Sequence, residues 1–306
     1  MTKNTLRRRL IDRRAAGELI VAPGVYDMIS LRLADRLGFD ALYMTGYGTV
    51  ASHLGLPDAG LATYSDMVGR VERMAQGAKT PLLADADTGY GGPLNVEYTV
   101  RGYERAGAAG IQLEDQEFPK RCGHTPNRRV VPAEDMVQKV RVAIRSRDSR
   151  DFLVVARTDA RTSLGLDEAL RRGEMYARAG ADLLFVESPE SEEELARIGA
   201  AFRGGPWLVA NMVEGGRTPI LGASDLASLG FAMAIHPVTA LLAAAAALER
   251  VYGSLRRHGS SGRVAGELLS FEAMNELMGF EEILRRDQEL QEQGTDASDR
   301  PGATGA

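Results

Sequence analysis

Two aspartates stand two residues apart in "DADTGYGG", residues 85–92, directly after the apolar run "PLLA" and directly before a glycine-rich turn. Paired carboxylates at the end of a buried strand have two readings: solvated acids in a loop, or oxygen ligands for a hard cation. The ends of other apolar runs carry Tyr43, Thr45, Glu114, Arg157, Glu187, Asn211 and His236. Side chains two apart on a strand share a face, so Asp85 and Asp87 are expected to point together. Acids crowded without a counter-ion repel one another, and some would have to be neutralised. With no histidine pair among them, the set suits Mg²⁺, or Mn²⁺, better than zinc.

The cations narrow the chemistry. Only four lysines occur, Lys3, Lys79, Lys120 and Lys139. Lys79 precedes the third strand and Lys139 sits in a predicted helix, which leaves Lys120 as the one candidate for a Schiff base and disfavours that mechanism. Carbonyl or alkoxide activation then falls to a metal acting as Lewis acid. Arg157 is the candidate for holding a carboxylate in bidentate fashion. "KRCGH", 120–124, joins two cations, the chain's single thiol, a glycine and a histidine. An isolated cysteine is ordinarily an inert buried hydrophobe. Beside Lys120, Arg121 and His124, the Cys122 thiol is expected to have a depressed pKa and to exchange a proton in catalysis. Gly123 next to it predicts a backbone that moves, as a lid over the site.

These residues need a scaffold that brings strand ends together. Short β-rich runs alternate with helical stretches: 19–22, 41–45, 81–87, 110–115, 152–158, 182–188, 207–212 and 231–236. Eight such units imply an α/β fold of the (β/α)8 TIM-barrel type, whose active sites lie at the C-terminal ends of the strands. An open doubly wound sheet is the alternative, but "APGVYD" stands after the first strand where its glycine fingerprint belongs. The predicted organisation is a barrel over 1–258 with a lid loop at 116–131, a helical extension over 259–290 and a disordered tail over 291–306. The basic N-terminal stretch reads as a surface helix. The extension has apolar positions and no barrel face left to cover, which points to a neighbouring subunit.

With 306 residues, 44% hydrophobic, the chain has material for a large core. A net charge of −5 offers no field for nucleic acid. One cysteine, Cys122, fits a reducing cytoplasm. The longest apolar run, "ALLAAAAAL" at 240–248, is too short for a membrane span.

In its motifs the chain resembles the isocitrate lyase/phosphoenolpyruvate mutase superfamily. "TGYGTVASHLGLPD", "DADTGYGGPLN", "LEDQEFPKRCGH", "VARTDAR" and "NMVEGGRTP" follow in family order across residues 15–285. "KRCGH" resembles the carbon–carbon lyase branch; "GGPLNV", "NMVEGGRTP" and "MNEL" look most like its 2-alkylmalate lyases, of the 2,3-dimethylmalate lyase and petal death protein type.

The resemblance implies a homotetramer, a dimer of dimers, whose C-terminal helix is swapped between subunits. It implies Mg²⁺ held directly by Asp85 and largely through water by Asp58, Asp87 and Glu114. Thr45, Gly46 and Tyr47 would hold an α-keto acid carboxylate beside Arg157, and Glu187, Asn211 and Thr218 the far end of the substrate. The expected reaction cleaves the C2–C3 bond of a 2-hydroxy diacid to pyruvate and a carboxylate, with Cys122 protonating the carbanion. The base is left open between Tyr43 as phenolate and a metal-bound water. Oxaloacetate hydrolysis is a rival, disfavoured by Pro237 where such relatives tend to carry serine. Carboxyphosphonoenolpyruvate-type phosphonomutase chemistry is another.

Overall fold

A computed structural model of the chain describes residues 5–123 and 128–298. Eight parallel strands close a barrel in chain order. They are β1 (Ile20–Val25), β2 (Leu42–Met44), β3 (Leu82–Asp85), β4 (Gly110–Glu114), β5 (Leu153–Thr158), β6 (Leu183–Val186), β7 (Trp207–Asn211) and β8 (Met233–His236). Pairing of β1 with β8, from Ile20↔Met233 to Pro23↔His236, shuts the sheet. Helices α1 (Leu6–Ala15), α2 (Met28–Arg36), α3 (Gly46–Leu54), α4 (Tyr64–Gly77), α5 (Pro93–Arg105) and α6 (Ala133–Ser146) accompany the first half. The second half carries α7 (Ala160–Leu164), α8 (Leu166–Arg178), α9 (Glu192–Ala201), α10 (Ala223–Ser228), α11 (Thr239–His258), α12 (Phe271–Met278) and α13 (Phe280–Ser298). All eight strands expected from the sequence are present.

The period-2 alternation of each strand sorts its residues into two cores. Outward residues such as Leu82, Ala84, Val154 and Leu184 join the layer between sheet and helices. Inward residues fill the barrel: Leu83, Val155, Phe185, Val209 and Ile235 form its apolar layers. One step of two further along each strand, the inward positions turn polar: Asp85 follows Leu83, Arg157 follows Val155, Glu187 follows Phe185 and Asn211 follows Val209. The site is thus the top layer of the barrel's own interior, held on packed strands.

Three local readings are corrected. β3 ends at Asp85, and Asp87 lies beyond it with φ 50°, so a turn and not strand alternation aims its carboxylate. His236 closes β8, but the inward positions there are Ile235 and Pro237, so the histidine is not part of the cavity wall. The basic N-terminal helix is more than a surface element. Leu6 and Leu10 are buried with the barrel-interior cluster, so α1 seals the N-terminal end of the barrel. Its arginines stay outside, Arg7 Nη2 donating to Asp182 Oδ1 at 2.6 Å.

Helix α9 lies so close to the turn after α10 that a Cβ built at Gly199 would meet the Leu229 carbonyl oxygen at 1.7 Å. Backbone cannot yield there as a flexible side chain would. Gly199→Ala is therefore expected to lower stability by about 1–3 kcal/mol, despite alanine's better helix propensity. Urea unfolding checks this; an unchanged or higher midpoint would show that the two elements separate freely.

The chain divides into two compact units, Met1–Ala245 and Ala246–Ala306. The division falls inside α11, whereas the sequence suggests an end to the barrel unit at 258. Within the second unit Ser270 caps α12, its side chain accepting from the Ala273 N–H, and Arg250 Nε donates to Glu267 Oε2 at 2.5 Å. Helix α13 runs on to Ser298, past the point at 291 where composition predicts disorder. Among the described residues no helix is long and apolar enough to cross a membrane.

Candidate active site

The polar top layer and residues 120–123 enclose a cavity of ≈ 50 Å³. Its wall includes Tyr43, Thr45, Tyr47, Asp58, Asp85 and Glu114 on one side, and Arg157, Glu187 and Asn211 on another. That volume holds a few waters and no more. The arm that carries Lys120, Cys122 and Gly123 forms part of the cavity wall.

Asp85 is fastened from three directions. Its Oδ2 accepts from the Gly46 N–H at 3.3 Å, and its Oδ1 from the Asp87 N–H at 3.1 Å and the Gln112 amide at 3.5 Å. Gly46 opens α3, capped by Thr45, so the positive end of that helix faces the carboxylate. A Cβ at position 46 would stand 2.5 Å from Asp85 Oδ2, which only glycine avoids. The Gly46 N–H expected to face a substrate carboxylate is thus already taken by Asp85.

Lys120 occupies the middle of the acids. Its ammonium lies 2.5 Å from Asp58 Oδ1 and 2.5 Å from Asp87 Oδ1, all three side chains nearly sealed from solvent. Burial alone would lower its pKa, but Asp87, Asp58, Glu114 and Asp85 outweigh that and hold it well above the ordinary lysine value. An ammonium so stabilised is a poor nucleophile, in line with the reading that disfavours a Schiff base. Burial pushes Asp87 up to about 6, against the pull of Lys120. Glu114 is also raised well above the usual carboxylate range, by burial first, with Arg157 opposing.

Arg157 differs from its expected role. Its Nε and Nη2 both donate to Asp159, to Oδ2 and Oδ1 at 2.9 Å each. Nη1 lies 3.3 Å from Glu114 Oε2, and Nη2 lies 3.2 Å from Glu187 Oε2. The fork that would clamp a substrate carboxylate is engaged by Asp159, so Arg157 is a fixed positive charge beside the cavity. Asp159 is itself held, its N–H donating to Asp115 Oδ1 at 2.8 Å and its Oδ1 accepting from Arg128 at 2.7 Å. Asp115 and Asp159 lie within the motifs "LEDQEFPKRCGH" and "VARTDAR", but nothing in the sequence indicates that they hold Arg157.

Tyr43 is unsuited to act as a phenolate. It is buried, its hydroxyl donates to Gln112 Oε1 at 3.1 Å, and burial together with Asp85 raises its pKa well above 10. Its neutral hydroxyl stays a hydrogen-bond donor.

Cys122 lines the cavity, its N–H donating to the Asp58 carbonyl at 3.2 Å. Gly123 lies against the ion pair below: a Cβ there would meet Arg157 Nη2 at 2.4 Å and Glu187 Oε2 at 2.6 Å. Glu187 accepts from the Asn211 amide at 3.1 Å. Thr218 is buried, its hydroxyl without a hydrogen-bond partner among the described residues, and it is not one of the residues lining the cavity. Pro237 is on the wall, with Phe185, Val213, Ile235 and Val238 supplying an apolar side that the motifs did not indicate. His124 lies outside the described residues.

Among the described residues no three His, Cys, Asp or Glu side chains are gathered as a metal site. The reason is visible: Lys120 stands between Asp58 and Asp87, and Arg157 draws on Glu114. The donors still fit a hard cation in kind. They are all carboxylate oxygens, Glu114 Oε1 is buried with no hydrogen-bond partner among the described residues, and an ammonium already fills the place where positive charge is needed.

Residues 10–256 match the family model for phosphoenolpyruvate phosphomutase. The chain is 48% identical over 266 residues to 2,3-dimethylmalate lyase of Eubacterium barkeri, covering 87% of this chain and 91% of the relative. Among solved structures it is similar to oxaloacetate acetylhydrolase in complex with the inhibitor 3,3-difluorooxalacetate, with TM-score 0.88 and 38% identity over 94% of this chain and 97% of that one. Phosphonopyruvate hydrolase in complex with oxalate and Mg²⁺ is similar with TM-score 0.82 and 32% identity, over 93% and 98% of the two chains.

Proposed function

The chain belongs to the phosphoenolpyruvate mutase/isocitrate lyase superfamily, and from that premise we propose that it is a divalent-cation-dependent carbon–carbon lyase acting on a 2-alkylmalate-type 2-hydroxy diacid. The reading rests on one observation: the only thiol of the chain lines the same small cavity as Arg157, Glu187 and the acids Asp58, Asp85 and Glu114. Support comes from the 2,3-dimethylmalate lyase relative and from the Mg²⁺ in the phosphonopyruvate hydrolase complex.

Asp85 and Glu114, with Asp58 and Asp87 around them, would hold the cation, which when bound supplies Lewis-acid polarisation of the 2-hydroxyl and its neighbouring carboxylate. Arg157, immobilised by Asp159, presents positive charge to the substrate's carboxylates. A carboxylate of the acid cluster takes the 2-hydroxyl proton as C2 becomes a carbonyl, and the C2–C3 electron pair passes to C3. The carboxylate on C3 delocalises that charge until the Cys122 Sγ–H delivers its proton to C3. Pyruvate and a shorter carboxylate leave. Tyr43 keeps its proton and holds Gln112, which in turn steadies Asp85. The arm of 120–123 shields the carbanion from adventitious protonation by water.

Val213, Ile235, Pro237 and Val238 give the cavity an apolar side, which favours a substrate bearing alkyl groups over a wholly polar one. Hydrolysis of oxaloacetate is the second reading, favoured by the likeness to oxaloacetate acetylhydrolase. A homotetramer with its C-terminal helix exchanged between subunits, in the cytoplasm, completes the proposal. The exposed Phe271, Phe280, Ile283 and Leu284 of the second unit support the exchange. The deciding experiment measures pyruvate release with Mg²⁺ from malate, 2-methylmalate, 2,3-dimethylmalate, methylisocitrate and isocitrate, with oxaloacetate assayed for oxalate. Pyruvate from an alkylmalate is the expected result; oxalate alone overturns it in favour of the hydrolase.

A further inference from the structure

Just beyond β6, Ser188 is held in a conformation that serine seldom adopts. Its φ is 58°, in the left-handed region, and the residue is fully buried. Glycine would take that backbone without steric penalty, so a buried serine there needs a reason. The side chain supplies one. Ser188 Oγ lies 3.0 Å from the Gly123 carbonyl and 3.1 Å from Glu187 Oε1, its single proton shared between two acceptors. Its N–H donates to the same Glu187 oxygen at 2.7 Å. One strained residue therefore grips both the Glu187 carboxylate on the barrel and the carbonyl of Gly123, the residue after Cys122.

We infer that Ser188 is a positioning residue, whose hydroxyl holds the Gly123 carbonyl and so keeps Gly123 against the Arg157–Glu187 ion pair and the adjacent Cys122 thiol at the cavity. Two further contacts agree. Gly123 approaches Arg157 and Glu187 so closely that no Cβ fits between them. The Cys122 N–H is tied from the other side by the Asp58 carbonyl. The thiol is suspended between a fixed point near the acids and a fixed point on β6, and the second is Ser188. A backbone carbonyl has no side chain of its own to secure, so a donor aimed at it from the barrel wall is the direct means of registering the arm.

The catalytic consequence rests on the lyase reading, but the positional one does not. Because Cys122 is the chain's only thiol, alkylation by iodoacetamide in the absence of substrate reports its protection without interference. Ser188→Gly and Ser188→Ala of the full chain are compared with wild type for alkylation rate, kcat and KM for pyruvate release, and urea midpoint. The expected result is alkylation faster by about two- to tenfold in both variants, the range of one hydrogen bond. A fall in kcat of the same order should accompany it, with a smaller change in KM. The urea midpoint of Ser188→Gly should be equal or higher, since glycine relieves the left-handed strain. Unchanged alkylation in both variants overturns the inference whatever the activity. Faster alkylation accompanied by a lowered midpoint in both also overturns it, because general loosening then explains the exposure. Faster alkylation in a protein whose wild type releases no pyruvate from any of the diacids keeps the positioning role and removes the lyase.

Discussion

Cys122→Ala is expected to lower turnover by about 10²–10⁴, the usual worth of a positioned proton donor, while substrate still binds. The arm's backbone contacts, from the Cys122 N–H to Asp58 and from Ser188 to the Gly123 carbonyl, survive the change because none uses the thiol. The loss should therefore be one of chemistry and not of architecture. Cys122→Ser should fare little better, since a hydroxyl is a much weaker acid than a thiol and surrenders its proton late. Steady-state release of pyruvate, with substrate affinity taken from protection against alkylation in the wild type and from equilibrium binding in the variants, separates the two terms. Turnover near wild type in Cys122→Ala would remove the thiol from the proton-transfer step.

Asp85→Asn should reduce activity and weaken binding of Mn²⁺, used as a spectroscopic probe for Mg²⁺, each by at least about 10²-fold. Asparagine matches the shape of aspartate but has a single acceptor oxygen, so it keeps either the Gly46 contact or those with Asp87 and Gln112 and loses the other. What disappears is one negative charge at the centre of the acid cluster. Folding stability should change little, the lost acceptor offsetting the relief of crowding among buried carboxylates. A nearly unchanged urea midpoint beside a large loss of ion affinity makes the outcome hard to mistake for unfolding. Wild-type affinity for Mn²⁺ in this variant would mean that the acids serve Lys120 and not a metal. Chelation of the wild type should abolish pyruvate release, and added Mg²⁺ should restore it.

Lys120 shows how far local reading reaches. Its sequence neighbours mark it as a cation on the loop predicted to cover the site, with nothing to say which acids it meets. In the folded chain it is among the most enclosed charges, matched to Asp58 and Asp87. The same holds for Arg157. Its place at the end of β5 was legible, whereas its engagement by Asp159 was not, because the turn after the strand brings that carboxylate back onto the guanidinium. Tyr43 could be placed at the mouth, but only burial and the Gln112 contact disclose that it keeps its proton.

Sequence alone determined the eight strands, their order along the chain and the identity of the polar residues at their ends. These follow from alternation of period two, from the helices between strands, and from the rule that barrel mouths lie at strand C-termini. Tertiary structure decided which charges meet. Asp58, Lys120 and Asp87, or Gly123, Ser188 and Glu187, come together through loop paths whose course depends on packing across the whole barrel mouth. Period and composition are properties of neighbours along the chain, while an ion pair or a latch is a property of neighbours in space.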